Sequence, residues 1–396
     1  MKKLVAFAVI MVLALVPVSA VFAGGDEDTS DVEKALEDQI YKTRDLEDKV
    51  ADLERQLDDL KNRPPQIVKE ERVVEKEGER AFELPIHGFF NVNYADANYP
   101  GSEGGYDQEN FNIIFDYIID ENFHFLGEIG TRHGEEVDVD LNAVQGVGEV
   151  NVVQAWLDWK FSDAAILKFG KFLTPYGNWN VPLHSPAVYL SIWEPILVRR
   201  DLFPRAVTGI QFYGKKAMGN VDLLYNLYTG NGVGWRPHSE DDNTNKGVGG
   251  RLGILSSFMS AGTLEVGASG YAGRDGTLDN EDHDTLGIDA LINVYPFQLR
   301  GEFARSNYNI PVMDWTRDAW YIQASYNFLE KYDAYLRYDK EDTDTSPFAI
   351  DDMEVTAVGL NYKPIPVVAF KVEYDLYDSD STGSYEVIAG SVAVEF

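Results

Sequence analysis

Three arginines cluster on the stretch Leu197-Val-Arg-Arg-Asp-Leu-Phe-Pro-Arg205, in a chain that carries 34 Lys and Arg against 66 Asp and Glu. A guanidinium keeps its charge at any working pH and presents a fork of donors that fits phosphate, sulfate or carboxylate. Arg199, Arg200 and Arg205 could therefore guide anions through a constriction, where rings of such groups dehydrate ions. Glu194 and Asp201 lie close in sequence, so the same arginines could equally pair with Asp201, Glu194 or inward carboxylates and pin a loop. Other reactive chemistry is sparse. The chain has no cysteine, which removes thiolate metal sites and thiol nucleophiles. The six histidines, His87, His124, His133, His184, His238 and His283, are spaced for neither a zinc site nor a catalytic triad. Gly230-Asn-Gly-Val-Gly234 lacks the following helix of a phosphate-binding loop. A barrel lipase or protease would need an inward Ser/His/Asp set, with His124 as its candidate histidine. The expectation is a protein without catalytic residues or a resident cofactor.

Acidic clusters offer a different chemistry. Glu135, Glu136, Asp138 and Asp140, then Asp279 to Asp284, then Asp342, Asp344, Asp351 and Asp352 place oxygen ligands densely enough for Ca²⁺, or for divalent bridging to lipopolysaccharide phosphates. Solvated loop charge is the alternative. A formal net charge of −32 argues against a nucleic-acid partner, which needs a basic footprint.

The arginines sit on a segment, Thr174 to Arg205, that is long for a connection and carries Pro175, Pro182, Pro186, Pro195 and Pro204 with Trp179, Tyr189, Trp193 and Phe203. Such a loop is stiff and adhesive, suited to folding inward against a wall. On either side of it, segments of about ten residues alternate apolar and polar, which is the two-residue period of strands separating lipid from water. Phe111, Ile113, Phe115, Tyr117 and Ile119 share one face, as do Val153, Ala155, Leu157, Trp159 and Phe161. The opposite parity collects Arg132, Lys160, Lys168, Arg251, Arg300, Arg337 and Lys371 with Glu128, Asp222, Asp289, Glu302, Asp339 and Glu373. A charge facing lipid at mid-depth costs about 2–4 kcal/mol, so these residues are expected on the inner wall, facing water or one another.

Tight links alternate with long polar ones, and the count from Ile86 to Phe396 comes to about sixteen strands. The fold class expected is all-β: a transmembrane antiparallel barrel over residues 82–396, wide enough for a water-filled lumen. Its last strand puts Ile388, Val392, Val394 and Phe396 on one face and Ala389, Ser391, Ala393 and Glu395 on the other. A terminal Phe396 on such a strand resembles the signal by which the barrel assembly machinery recognises bacterial outer-membrane proteins.

The N-terminal part has other patterns. Lys2 and Lys3 precede an apolar run from Leu4 to Val18 and small residues to Ala23, which reads as a signal peptide over 1–23 and implies export. Residues 24–63 carry a coiled coil expected in the periplasm. Its seam is Val32, Leu36, Gln39, Thr43, Leu46, Val50, Leu53, Leu57 and Leu60, and it ends at Pro64-Pro65. Residues 64–81 read as a charged linker.

The stretch Leu167-Lys-Phe-Gly-Lys-Phe-Leu-Thr-Pro-Tyr-Gly177, preceded by Gln154-Ala-Trp-Leu-Asp-Trp-Lys-Phe161 and followed by Ala206-Val-Thr-Gly-Ile-Gln-Phe212, resembles the phosphate-selective porin O/P family and related trimeric porins. The match is clear over residues 150–215. In that family a strand reading roughly Gly-x-Phe-x-x-Pro-[Phe/Tyr]-Gly leads into an inward-folded third loop, and some related dicarboxylate porins carry a coiled coil before the barrel. The resemblance implies a passive homotrimeric channel in the outer membrane, among lipids and lipopolysaccharide, biased toward small anions such as phosphate and carboxylates. It implies Arg199, Arg200 and Arg205 as constriction residues. This chain departs from the pattern in its acidic balance and in lacking a full basic ladder. The competing reading is a structural barrel whose helix tethers the outer membrane to a periplasmic partner.

An isolated helix of this length is marginal in water, so a peptide spanning residues 30–63 should gain helicity with concentration by circular dichroism. A concentration-independent coil would remove the seam as an assembly element.

Overall fold

The computed structural model describes residues 85–99, 102–132, 137–138, 143–144, 149–232, 244–258, 262–275, 281–310, 313–344 and 352–396. The signal peptide, the coiled-coil seam and the linker lie outside these.

The chain runs β1 Ile86–Ala97, β2 Gly105–Ile118, β3 Phe123–Arg132, the two-residue β4 Val137–Asp138 and β5 Ala143–Val144, β6 Glu149–Ser162, β7 Ala165–Leu173, α1 Ile196–Arg199 and β8 Ala206–Met218. It continues as β9 Val221–Gly230, β10 Gly247–Phe258, β11 Gly262–Asp275, β12 Glu281–Val294, β13 Phe297–Ile310, β14 Met313–Phe328, β15 Tyr332–Asp344, β16 Met353–Ile365, β17 Val368–Ser379 and β18 Gly383–Glu395. β4 and β5 pair only with each other, and the other sixteen strands form one closed antiparallel barrel. Closure runs from Phe89 opposite Glu395 to Ala97 opposite Val387, and the Gly88 and Phe396 backbones exchange hydrogen bonds of 2.8 and 2.9 Å. No strand edge is left at the seam, the condition for a sheet to stand in lipid.

The two faces separate as the alternation requires. Leu252, Ile254, Leu286, Ile288, Val358, Leu360, Val372 and Ile388 are exposed outward, while Glu128, Asp289, Glu302, Asp339 and Glu373 are buried inward. Outward aromatics of β13 to β17 form a belt near the short turns, with Phe297–Tyr326, Phe328–Tyr332 and Tyr332–Tyr362 centroids 4.8, 5.4 and 4.9 Å apart. Short turns occupy one end of the barrel. The first is closed by Asp120, whose carboxylate accepts the Asn122 and Phe123 amides at 2.8 Å each.

Two expectations need correction. Val153 does not continue the outward row of Ala155. The ladder steps from Glu128–Gln154 to Ile129–Val152, leaving Val153 as a bulge, so Val152 and Val150 take over the outer face. At the long-loop end, strands extend through residues that read as loop: within Asn309 to Trp315, β13 runs to Ile310 and β14 begins at Met313, the two paired with each other. Beyond the bilayer both faces of a strand are wet, so the polarity contrast that marks it vanishes.

Val372 is 58% exposed within the outward apolar band. Val372→Arg should therefore cost about 2–4 kcal/mol in a urea titration of the barrel folded into vesicles. A cost under half a kilocalorie would place this face away from lipid.

Candidate functional site

The chain between β7 and β8 enters the barrel interior. β7 is short: it pairs with β6 only from Ser162–Ala165 to Ala155–Lys171, while its pairing with β8 runs on to Leu173–Ala206. At Gly170, φ is +126° and a Cβ would collide with the Ala155 carbonyl, so glycine is required where the chain begins to diverge. Residues 174–205 then cross the interior. Their apolar side chains pack against the inner wall, with Tyr176, Trp179, Leu197, Val198, Leu202 and Phe203 in one buried cluster with Tyr228, Ala304, Ala319 and Tyr321. Ala304 and Ala319 face each other across two strands and leave room for the loop.

Polar contacts fix its path. Lys371 donates to the carbonyls of Pro186, Tyr189 and Ser191 at 2.6, 2.7 and 2.8 Å. Arg337 donates to the Trp193 carbonyl at 2.8 Å and pairs with Asp339 at 2.6 Å, and Asp339 accepts the Ile196 amide at 3.2 Å. Glu373 accepts the Ile192 amide. Arg300 holds Asn178 through its carbonyl and its side-chain oxygen, and Glu302 accepts the Asn178 amide at 3.0 Å. Beside it, Gly177 has φ +59° and comes so close to Glu302 that no Cβ would fit.

The candidate arginines have different surroundings. Arg205 makes a bidentate pair with Glu194 at 2.7 and 2.6 Å. Burial acts to lower its pKa, but the Glu194 carboxylate outweighs burial and holds it above its ordinary value. Arg200 pairs with Glu341 at 3.0 Å, an acid shared with Arg317 at 2.6 Å. Arg199 ends the four-residue α1 and is open to lumen water. It is nonetheless ringed by protein, and although that enclosure acts to lower its pKa, its hydrogen-bond partner Tyr377 and nearby Asp339 hold it raised. The alternative of loop-pinning pairs thus describes Arg205, with Glu194, and Arg200, with the inward carboxylate Glu341.

The remaining basic candidates divide similarly. Arg251 is buried against Asp289 and Glu265 at 2.5 and 2.7 Å. Lys168 lies 3.3 Å from the Trp156 ring centroid and 3.7 Å from Asp158. Lys160 pairs with Asp163 at a short turn. Arg132 stands opposite Asn110 and Glu149 in the ladder, and its side chain lies outside the described set.

Opposite the loop, the wall carries amides. Asn110 donates to Asn91 and Asn91 to Asn93 at 2.9 and 3.0 Å, while Glu128 accepts Asn112, Gln154 and, from the loop, His184. Between this wall and the loop lies a cavity of about 530 Å³, bounded by Phe89, Asn110, Asn112 and Lys171 on one side and Trp193, Glu194, Arg199 and Arg205 on the other. Lys171 bridges the gap left by short β7, donating to the Val152 carbonyl. The amide row was legible as alternating Asn on β1 and β2. Lys171 was not, because its position depends on where β7 parts from β6.

Two acids proposed for divalent ions already hold cations: Asp282 takes Arg274 at 2.8 Å, and Asp342 takes Lys340 at 3.2 Å, a lysine it shares with Glu354 at 3.0 Å. Glu135, Glu136, Asp140, Asp279 and Asp351 lie outside the described residues. Among the described residues no three His, Cys, Asp or Glu stand together as a metal site. His124 is bound to Asp116 at 2.5 Å.

Lys371→Met removes three charge-assisted bonds at once and should destabilise the protein by about 3 kcal/mol or more. Chemical denaturation reads the loss, and trypsin should cut at Arg199, Arg200 or Arg205 in the variant and spare the parent. Equal resistance would show that apolar packing alone holds the loop.

No protein-family model matches the chain. An uncharacterized protein of Aquifex aeolicus is 25% identical over 352 residues, covering 74% of this chain and 75% of that one. Among solved structures, the anion-selective porin of Comamonas acidovorans superposes with a TM-score of 0.56 at 10% identity, over 78% of this chain and 98% of that one. OmpF of Salmonella typhi gives 0.56 at 12%, over 78% and 97%. The trimer form of OmpT, an outer membrane protein of Vibrio cholerae, gives 0.51 at 11%, over 78% and 99%. Together with the closed sixteen-strand sheet, these likenesses give the chain the barrel fold of outer-membrane porins.

Proposed function

We propose that this protein is an outer-membrane porin through which small hydrophilic solutes diffuse passively, and that it works as a homotrimer. The observation that carries the reading is the loop 174–205, pinned to the inner wall of a closed sixteen-strand barrel so that a cavity of about 530 Å³ remains between it and the amide wall. A plug would fill the section, whereas this loop is fastened to one side. The short turns face the periplasm in this reading, which returns the N-terminus to the compartment where the seam of residues 32–60 can assemble. The trimer form of the Vibrio cholerae protein supports the same stoichiometry.

Ion selectivity follows from which charges stay available at the constriction. Arg200 and Arg205 are spent on Glu341 and Glu194, leaving Arg199 and Lys171 as cations open to solute. A weak anion bias is the result, without commitment to phosphate. The likeness of residues 150–215 to the phosphate-selective porins bears on the loop's path rather than on its ligand.

Purified protein in planar bilayers should conduct, and Arg199→Gln should move the reversal potential toward cations in dilute salt, with the shift fading as salt rises. The double variant Glu194→Gln/Arg205→Gln removes one charge of each sign and should leave the potential unchanged. A folded protein that never conducts would sink the channel reading. A larger shift in the double variant than in Arg199→Gln would move selectivity to the paired arginine.

A further inference from the structure

On the short-turn side of the loop lies a second cavity, of about 490 Å³, between the inner wall of β12 to β16 and the loop residues Leu183, Val188 and Leu190. Its wall, like the one facing the first cavity, is rich in amides. Asn293, Gln298, Gln323 and Asn327 converge on it with Ser325 between the last two. Two of these amides are held in place: Gln298 donates to Asn293 at 2.7 Å and Asn327 to Asp333 at 2.8 Å. Gln323 is only 3% exposed, yet its side-chain oxygen has no partner within the protein, and the same holds for Nε of Arg300, which is 5% exposed. Buried polar atoms are rarely left unpaired, because each forfeits its hydration for nothing. These two atoms are closed off from the cavity, which Gln323 and Arg300 line with the rest of their side chains.

We infer that this cavity is a binding subsite for a small neutral polyhydroxylated solute, a sugar or polyol, on the exit side of the constriction. A hydroxyl both donates and accepts, so it satisfies an amide's carbonyl and its NH₂ alike. An anion would use the donors and leave amide oxygens facing its own. Net charge adds to the distinction: Asp333 lies in the lining opposite Lys363, while Arg300 is directed at Asn178, whose amide is held by Glu302. Leu183, Val188 and Leu190 offer an apolar floor for the C–H face of a ring. The volume falls within the range of small-molecule sites. The assignment rests on the channel reading only for its place on the solute path.

The test is equilibrium binding of sucrose to the purified full-length protein in nanodiscs, followed by saturation-transfer NMR, with bilayer conductance measured on the same preparation. Sucrose should bind saturably and from a single class of site. Gln323→Leu, which keeps the volume, and Asn327→Ala should each weaken it about tenfold, the loss of one well-made hydrogen bond. If Gln323→Leu fails to fold, Gln298→Ala on the neighbouring strand serves in its place. Sodium phosphate at the same concentration should not displace the sugar. Saturable sucrose binding without conductance would support the subsite and overturn the channel. Conductance with no saturable binding, displacement by phosphate, or binding indifferent to both variants would each overturn the subsite.

Discussion

A segment of chain led into the middle of a barrel takes its backbone amides and carbonyls away from bulk water, and each must find a partner or carry a desolvation cost. The whole interior is arranged around that constraint. Carbonyls of Pro186, Tyr189 and Ser191 converge on Lys371, that of Trp193 on Arg337, that of Leu190 on Asn361, and that of Leu202 on Thr285 and Ser306. Amides of Asn178 and Ile196 go to Glu302 and Asp339. These partners come from β12 to β17, so this side of the wall is committed to the loop. The other side, β1 to β3 with β6, keeps amides and stays open. The cavity beside β1 to β3 lies to one side because the loop's backbone had to be satisfied somewhere.

That division explains the inward charges better than solute attraction does. A buried ion pair often gains no stability over an apolar replacement, but removing one partner is costly, so such pairs favour one arrangement over its competitors. Arg317 with Glu341, Arg337 with Asp339 and Arg251 with Asp289 lie on strands the loop crosses or neighbours, and Arg317 also reaches the Arg200 carbonyl at 3.2 Å. Aromatic packing supplies attraction without direction: Tyr176 stacks on Phe203 at 4.7 Å and Trp179 meets Tyr321 edge-on at 5.8 Å. The charges choose the loop's position and the rings hold it there.

The barrel was legible because lipid on one face and water on the other impose a two-residue period that no soluble constraint reproduces so often in one chain. Ile388 against Ala389, or Phe115 against Asp116, shows it locally. Strand ends were less legible, since outside the bilayer the contrast fades, and the bulge at Val153 inverted a parity that had been extended one residue too far. The proline-rich loop could be recognised as inward-folding, but its pairings could not. Arg200 and Glu341 are separated by 141 residues and meet only because the barrel closes and the loop crosses it.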